Sequence, residues 1–112
     1  MSLPKSEVMY GTLDLLVLKT LEARGPQHGY SIAQRLHRVS REALPLNQGT
    51  LYPALLRLEH NGWITSKWGT TENNRKARYY SITRAGRKQL EQESSNWAAS
   101  AEIINRVLQG AF

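Results

Sequence analysis

The 112-residue chain contains no cysteine. That absence excludes disulfides, thiolate zinc sites, iron–sulfur clusters and cysteine nucleophiles. Long apolar runs are missing too: stretches such as Leu15 to Leu18 are only a few residues long. No transmembrane span fits, and the start of the chain lacks a charged segment followed by an apolar core, so the expected compartment is the cytoplasm. There is no pairing of acids in a cleft-like setting and no Ser/His/Asp constellation. Gly11, Gly25 and Gly29 match no phosphate-cradling loop. His28, His37 and His60 share neither a helical face nor a ligand spacing. Neither catalysis nor a metal or cofactor is therefore expected.

Acidic residues are scarce as well. Nine of them face 15 Lys and Arg, a formal charge of +6. The excess is local. Residues 61–89 hold Lys67, Arg75, Lys76, Arg78, Arg84, Arg87 and Lys88 against Glu72 alone, whereas the segment from 90 onward is net acidic. A concentrated basic stretch is the electrostatic footprint of a polyanion partner, although a solvated basic surface looks the same in sequence. With 40% hydrophobic and 21% charged residues, the rest has the balance of one small globular domain.

Helical periodicity is plain in three places. From Gly11 to Arg24, Leu13, Leu16, Val17, Thr20 and Leu21 fall at helical spacing, and Leu15 and Leu18 widen the stripe to more than one side. Gly25-Pro26 stops this helix. A shorter helix follows Gly29, with Ile32, Leu36 and Val39 on one face. Pro45 interrupts, flanked by Leu44 and Leu46 as a short extended segment. The third helix starts near Asn47 to Thr50, since Pro53 fits within or just after a first turn. Leu51, Ala54, Leu55 and Leu58 form one apolar stripe along it, and Asn61-Gly62 ends it.

The period then changes to two. Trp63 to Gly69 and Ala77 to Ile82 alternate and are rich in aromatic and β-branched residues, and Asn73 and Asn74 lie in the polar turn between them. A β-hairpin with a basic tip is expected, its tryptophans and Tyr79 and Tyr80 packing the hairpin and core. Aromatic pairs on a hairpin can also stack RNA bases, but the helical layout points to duplex DNA. A long helix runs from Thr83 to about Gly110. Leu90, Ser94, Trp97, Ala101, Ile104 and Leu108 make a heptad-like seam on it, flanked by Ile103 and Val107. At about 40 Å this helix overshoots a compact domain of about 13 Å radius of gyration, so its seam needs a partner, most simply a second copy.

Helix, helix, helix, hairpin, helix is the layout of a winged helix-turn-helix: mainly α with a small β-hairpin. The expected division is a DNA-binding part over residues 1–83 and a dimerisation helix over 84–112. One stripe of the third helix docks on the first two, which leaves the opposite face for a major groove. Gln48, Thr50, Tyr52, Pro53 and Arg57 are the candidate DNA contacts on this helix, with Leu56 also outward. Thr50 can equally serve as a cap. Arg75, Lys76 and Arg78 are the wing candidates, and the strand partner of Arg78 is open. A protein-binding winged-helix adaptor that makes no DNA contact is the alternative.

Several blocks together, namely Gly25-Pro-Gln-His-Gly-Tyr-Ser-Ile32, Gly49-Thr-Leu-Tyr-Pro-Ala-Leu-Leu-Arg-Leu-Glu59, Asn61-Gly-Trp-Ile64 and Glu72-Asn-Asn-Arg-Lys-Ala-Arg-Tyr-Tyr80, resemble the PadR family of bacterial transcriptional regulators over nearly the whole chain. The resemblance implies a cytoplasmic homodimer, usually a repressor, joined through the C-terminal helix; the seam residues Leu90, Trp97, Ala101, Ile104 and Leu108 are then the expected joint, and two joined copies are expected to meet a pseudo-palindromic operator. The resemblance also suggests Trp97 as a stacking surface for a planar hydrophobic effector between subunits.

Overall fold

The computed structural model describes residues 12–43 and 46–110. Gly11 at the expected start of the first helix, and Leu44 and Pro45 of the expected extended segment, lie outside the described residues. In chain order the elements are α1 (Leu13–Arg24), β1 (Gln27–His28), α2 (Gly29–Val39), α3 (Gln48–His60), β2 (Ile64–Thr70), β3 (Lys76–Ile82) and α4 (Arg84–Leu108).

α1 is the central post. It packs against α2, α3, β3 and α4, which is why a helix with leucines on several sides is favoured here. Leu13, Val17, Leu18, Thr20 and Leu21 are buried and Leu15 and Leu16 lie partly buried on the core. The hydroxyl of Thr20 enters the core without cost in hydrogen bonding, because it donates to the carbonyl of Leu16 at 2.8 Å. Gly25 ends α1 at φ +78°, a conformation that suits glycine.

The hairpin is part of a larger sheet than expected. β1 pairs antiparallel with β3, Gln27 opposite Tyr80 and His28 opposite Tyr79, giving three strands in the order β1-β3-β2. His28 then caps α2, its Nδ1 accepting the Ser31 N–H at 3.3 Å. Ile32, Ala33 and Leu36 turn α2 into the core. Val39, which spacing placed on the same face, is exposed, being the last residue of the helix and a turn beyond Leu36.

α3 is capped by Asn47, whose Oδ1 accepts the Thr50 N–H at 2.9 Å. Pro53 stands inside α3, in its second turn, past the N–H groups that a helix start leaves free, so its missing N–H costs the helix one backbone hydrogen bond. β2 and β3 pair in register from Ile64 opposite Ile82 to Thr70 opposite Lys76. Their turn closes through Asn74 at φ +60°, with the Thr71 N–H donating to the Arg75 carbonyl at 2.8 Å.

The start of α4 is locked onto the hairpin. The Thr83 N–H donates to the Trp63 carbonyl at 3.0 Å, and its hydroxyl donates to the Gly62 carbonyl at 2.7 Å while accepting the Gly86 N–H at 3.0 Å. Gly86 is needed there, since a Cβ would lie 2.0 Å from the Trp63 carbonyl oxygen. This docking inserts Leu90, only 5% exposed, into the core with α1. Leu90 therefore belongs to the chain's own core, which corrects its expected place in an intersubunit seam. Gly86→Ala is expected to cost about 1–3 kcal/mol through overpacking, seen as a lower Tm; an unchanged Tm would show that the junction yields.

Candidate nucleic-acid interface

The rotation of α3 is fixed by Leu51, Ala54, Leu55 and Leu58, each 0 or 1% exposed. The helix period then turns Gln48, Thr50, Tyr52 and Pro53 outward, together with Gly49, Leu56 and His60. Gln48 stands at the N-terminal end of the helix, its side chain reaching toward Gly29 at the start of α2. Thr50 donates both its N–H and, at 3.1 Å, its hydroxyl to Asn47 Oδ1, so it is held within the cap while staying exposed. Tyr52 lies beside the sheet. Burial raises the pKa of Tyr80 above the usual phenol value, Tyr52 and Glu59 raise it further, and Arg78 opposes them. These groups form one electrostatic cluster where α3 meets the wing.

Arg57 leaves the expected outward set. Its Nε donates to Asp14 Oδ2 at 3.3 Å and its Nη2 to Asp14 Oδ1, a forked ion pair that ties α3 to α1. This partner lies 43 positions away in sequence, out of reach of any local pattern.

The wing divides its cations into two kinds. Arg75 and Lys76 are exposed at the tip. Arg78 is part of a relay. Its Nε donates to Ser66 Oγ at 3.0 Å, Ser66 Oγ donates to Glu59 Oε2 at 2.6 Å, and its guanidinium carbon stands 5.4 Å from the centre of the Trp68 ring. Arg78 thus braces Ser66, which itself links the hairpin to α3, and Trp68 is its cross-strand neighbour. Trp68 is 65% exposed, which corrects its expected place in the core, for it stands in the outer half of the hairpin away from the helices. On the other face, the Tyr79 ring lies against Gly69, where a Cβ would approach to 2.7 Å; its hydroxyl donates to the Thr70 carbonyl at 3.2 Å, and His28 meets it edge-on at 5.4 Å.

Between the tip and the N-terminal turns of α2 lies an open cleft of about 790 Å³. Tyr30, Ser31 and Gln34 line one side, and Thr71, Arg75 and Lys76 the other. The wing cations thereby face the start of α2 across the cleft. Sequence reasoning missed Tyr30, a strongly exposed aromatic, and Asn47 as the cap. Tyr30 carries no periodic signal, and the capping side chain of Asn47 was legible only as a helix start. Among the described residues no group of three or more His, Asp or Glu is placed to hold a metal, and no helix is long and apolar enough to cross a membrane.

A tri-helical core, a helix with a clean outward face and a basic hairpin beside it define a winged helix-turn-helix protein. Residues 17–92 match the model of the PadR-like transcriptional regulator family. A transcriptional regulator from Clostridium thermocellum is similar in structure, with TM-score 0.81, 33% identity, and coverage of 89% of this chain and 96% of that one. A PadR family regulator from Eggerthella lenta gives 0.78 at 30% identity, over 93% of this chain and 88% of its own. An uncharacterized protein of Lysinibacillus sphaericus is 28% identical over 106 residues, covering 95% of this chain and 96% of that protein. The chain belongs to the PadR-like family of transcriptional regulators and is not an enzyme.

The two kinds of cation separate by salt. Arg75→Ala and Lys76→Ala are each expected to flatten the slope of log affinity for duplex DNA against log salt by about 0.9. Arg57→Ala is expected to leave that slope unchanged and to lower stability by less than about 1 kcal/mol, its pair being partly open to solvent. A flatter slope in Arg57→Ala would return Arg57 to the interface.

Proposed function

We propose that two copies of the chain bind a pseudo-palindromic duplex operator and repress transcription from it, working in the cytoplasm. The observation that carries the DNA reading is the exposed outward face of α3 in a molecule whose hairpin packs on that helix through β2 and carries the exposed cations Arg75 and Lys76 at its tip. A helix of this kind fits a major groove about 12 Å wide, and cations beside it neutralise the adjoining phosphates. Gln48, Thr50, Tyr52 and Pro53 make the contacts of α3, with Thr50 acting from within its cap. Arg78 acts mainly by bracing Ser66, which holds the wing against α3.

Pairing is supported by α4. Its 25 residues span about 37 Å at about 1.5 Å per residue, and the molecule is 58 Å long but only 30 and 21 Å across. Beyond Leu90, Trp97 is 53%, Ile104 55% and Leu108 78% exposed, with Ala101 between them and Ile103 and Val107 exposed alongside. An apolar stripe of this length at coiled-coil spacing suits a second copy of itself. Two joined copies would present their α3 helices to half-sites about 34 Å apart or a multiple of that.

Truncation after Glu93 keeps Leu90 and removes the stripe. The product is expected to sediment as a monomer and to lose most of its affinity in a gel-retardation assay. A truncated dimer would place the interface elsewhere, and full affinity without dimerisation would remove the need for a pair.

Trp97 also supports an effector reading. It is 53% exposed, and the small side chains Ala98, Ala99 and Ala101 lie beside it in sequence. Planar hydrophobic compounds are expected to quench tryptophan fluorescence in the wild type and not in Trp97→Ala. Equal quenching in both rejects the site.

A further inference from the structure

The middle of the outward face of α3 offers bases almost nothing to hydrogen-bond with. Gly49, Pro53, Leu56 and His60 run along it at spacings of 4, 3 and 4 residues. Gly49 has no side chain, and Pro53 and Leu56 have no polar side-chain atom. The polar groups lie at the two ends, in Gln48 and His60, or to the side, where Tyr52 stands by Tyr80 and Thr50 donates to Asn47. Arg57, the residue of this helix best suited to fork onto guanine, is held by Asp14.

At the centre stands Leu56, 63% exposed, whereas Leu51, Leu55 and Leu58 of the same helix are wholly buried. A single exposed leucine is ordinary on a protein surface. Its position gives this one meaning, because it faces away from the core at mid-helix, in line with Pro53 on the exposed face. In a major groove the apolar mark on a base edge is the C5-methyl of thymine. A polar side chain placed there would read hydrogen-bond patterns; leucine offers only dispersion and the release of water, and these favour a methyl.

Building on the duplex-binding reading proposed for α3, we propose that Leu56, assisted by Pro53, is a specificity residue that reads the methyl group of a thymine at the centre of each half-site. The contact adds nothing at cytosine or at the purines, whose major-groove edges carry no methyl, so it selects sequence by apolar complementarity where this helix has no hydrogen-bonding side chain.

Deoxyuridine tests the proposal, since it keeps every hydrogen-bonding group of thymidine and lacks only the methyl. A duplex enriched from a random pool by the full-length protein would be remade with dU replacing dT, one position at a time in each half-site. At one central position the wild type is expected to bind about fourfold more weakly for each half-site changed, the equivalent of one buried carbon. Leu56→Ala, which should fold normally because the side chain is exposed, is expected to bind the dT and dU duplexes equally. Leu56→Met should retain the preference. An enriched duplex insensitive to dU at every position overturns the proposal, and so does a dU effect of the same size in Leu56→Ala. Failure to enrich any duplex is a separate result: it removes duplex binding itself, and the thymine contact with it.

Discussion

Burial of one stripe on α3 is the constraint from which the rest follows. Leu51, Ala54, Leu55 and Leu58 reach 0 or 1% exposure together, and a fully buried leucine contributes about 1.5–3 kcal/mol. Rotating the helix by a third of a turn would forfeit several such contributions at once. The rotation is therefore fixed, and with it the direction of every other side chain on the helix. Arg57 is turned to Asp14 on α1, Glu59 to Ser66 on the sheet, and Pro53 and Leu56 away from the protein. The outward face is what remains after packing has been satisfied.

The wing is oriented by the same helix. One hydrogen bond, from Ser66 to Glu59, joins the hairpin to α3, a second from Arg78 braces Ser66 across the strands, and β1 pins β3 from its other edge. The tip cations sit on a hairpin whose base is held on both sides. At the opposite end, Thr83 and Gly86 fix where α4 begins, and Leu90 fixes the side it turns to α1. Trp97, Ile104 and Leu108 follow at heptad-like spacing from Leu90, so the surface left for a partner continues a line that starts inside the core. Packing uses the first part of this stripe, and the pairing proposed above would use the rest.

Much of this was legible in the amino-acid order. The stripe of α3, the stop at Gly25-Pro26, the alternating strands, the turn at Asn73-Asn74 and the cap at Thr83 are local patterns, and local patterns survive in sequence. What was not legible depends on distant partners. β1 is two residues long and exists because Tyr79 and Tyr80 pair with it. Arg57 reads as an exposed cation until Asp14 is brought to it. Leu90 has the same spacing whether it meets α1 or a second copy, so periodicity could not tell core from interface. Trp68 has the residue type of a packed strand position, but its place in the outer hairpin decides its exposure. Of the candidate contacts, the exposure of Tyr52, Pro53, Arg75 and Lys76 was visible from the face or loop they occupy, whereas the placing of Arg57 and Arg78 required knowing their partners.

Hydroxyl-radical footprinting on an enriched duplex tests the central claim most directly, namely that paired α3 faces and wings engage duplex DNA. Two symmetric protected patches are predicted, centred about one helical turn (~34 Å) or a whole multiple of it apart. A single unsymmetrical patch, or protection spread evenly whatever the sequence, would contradict it.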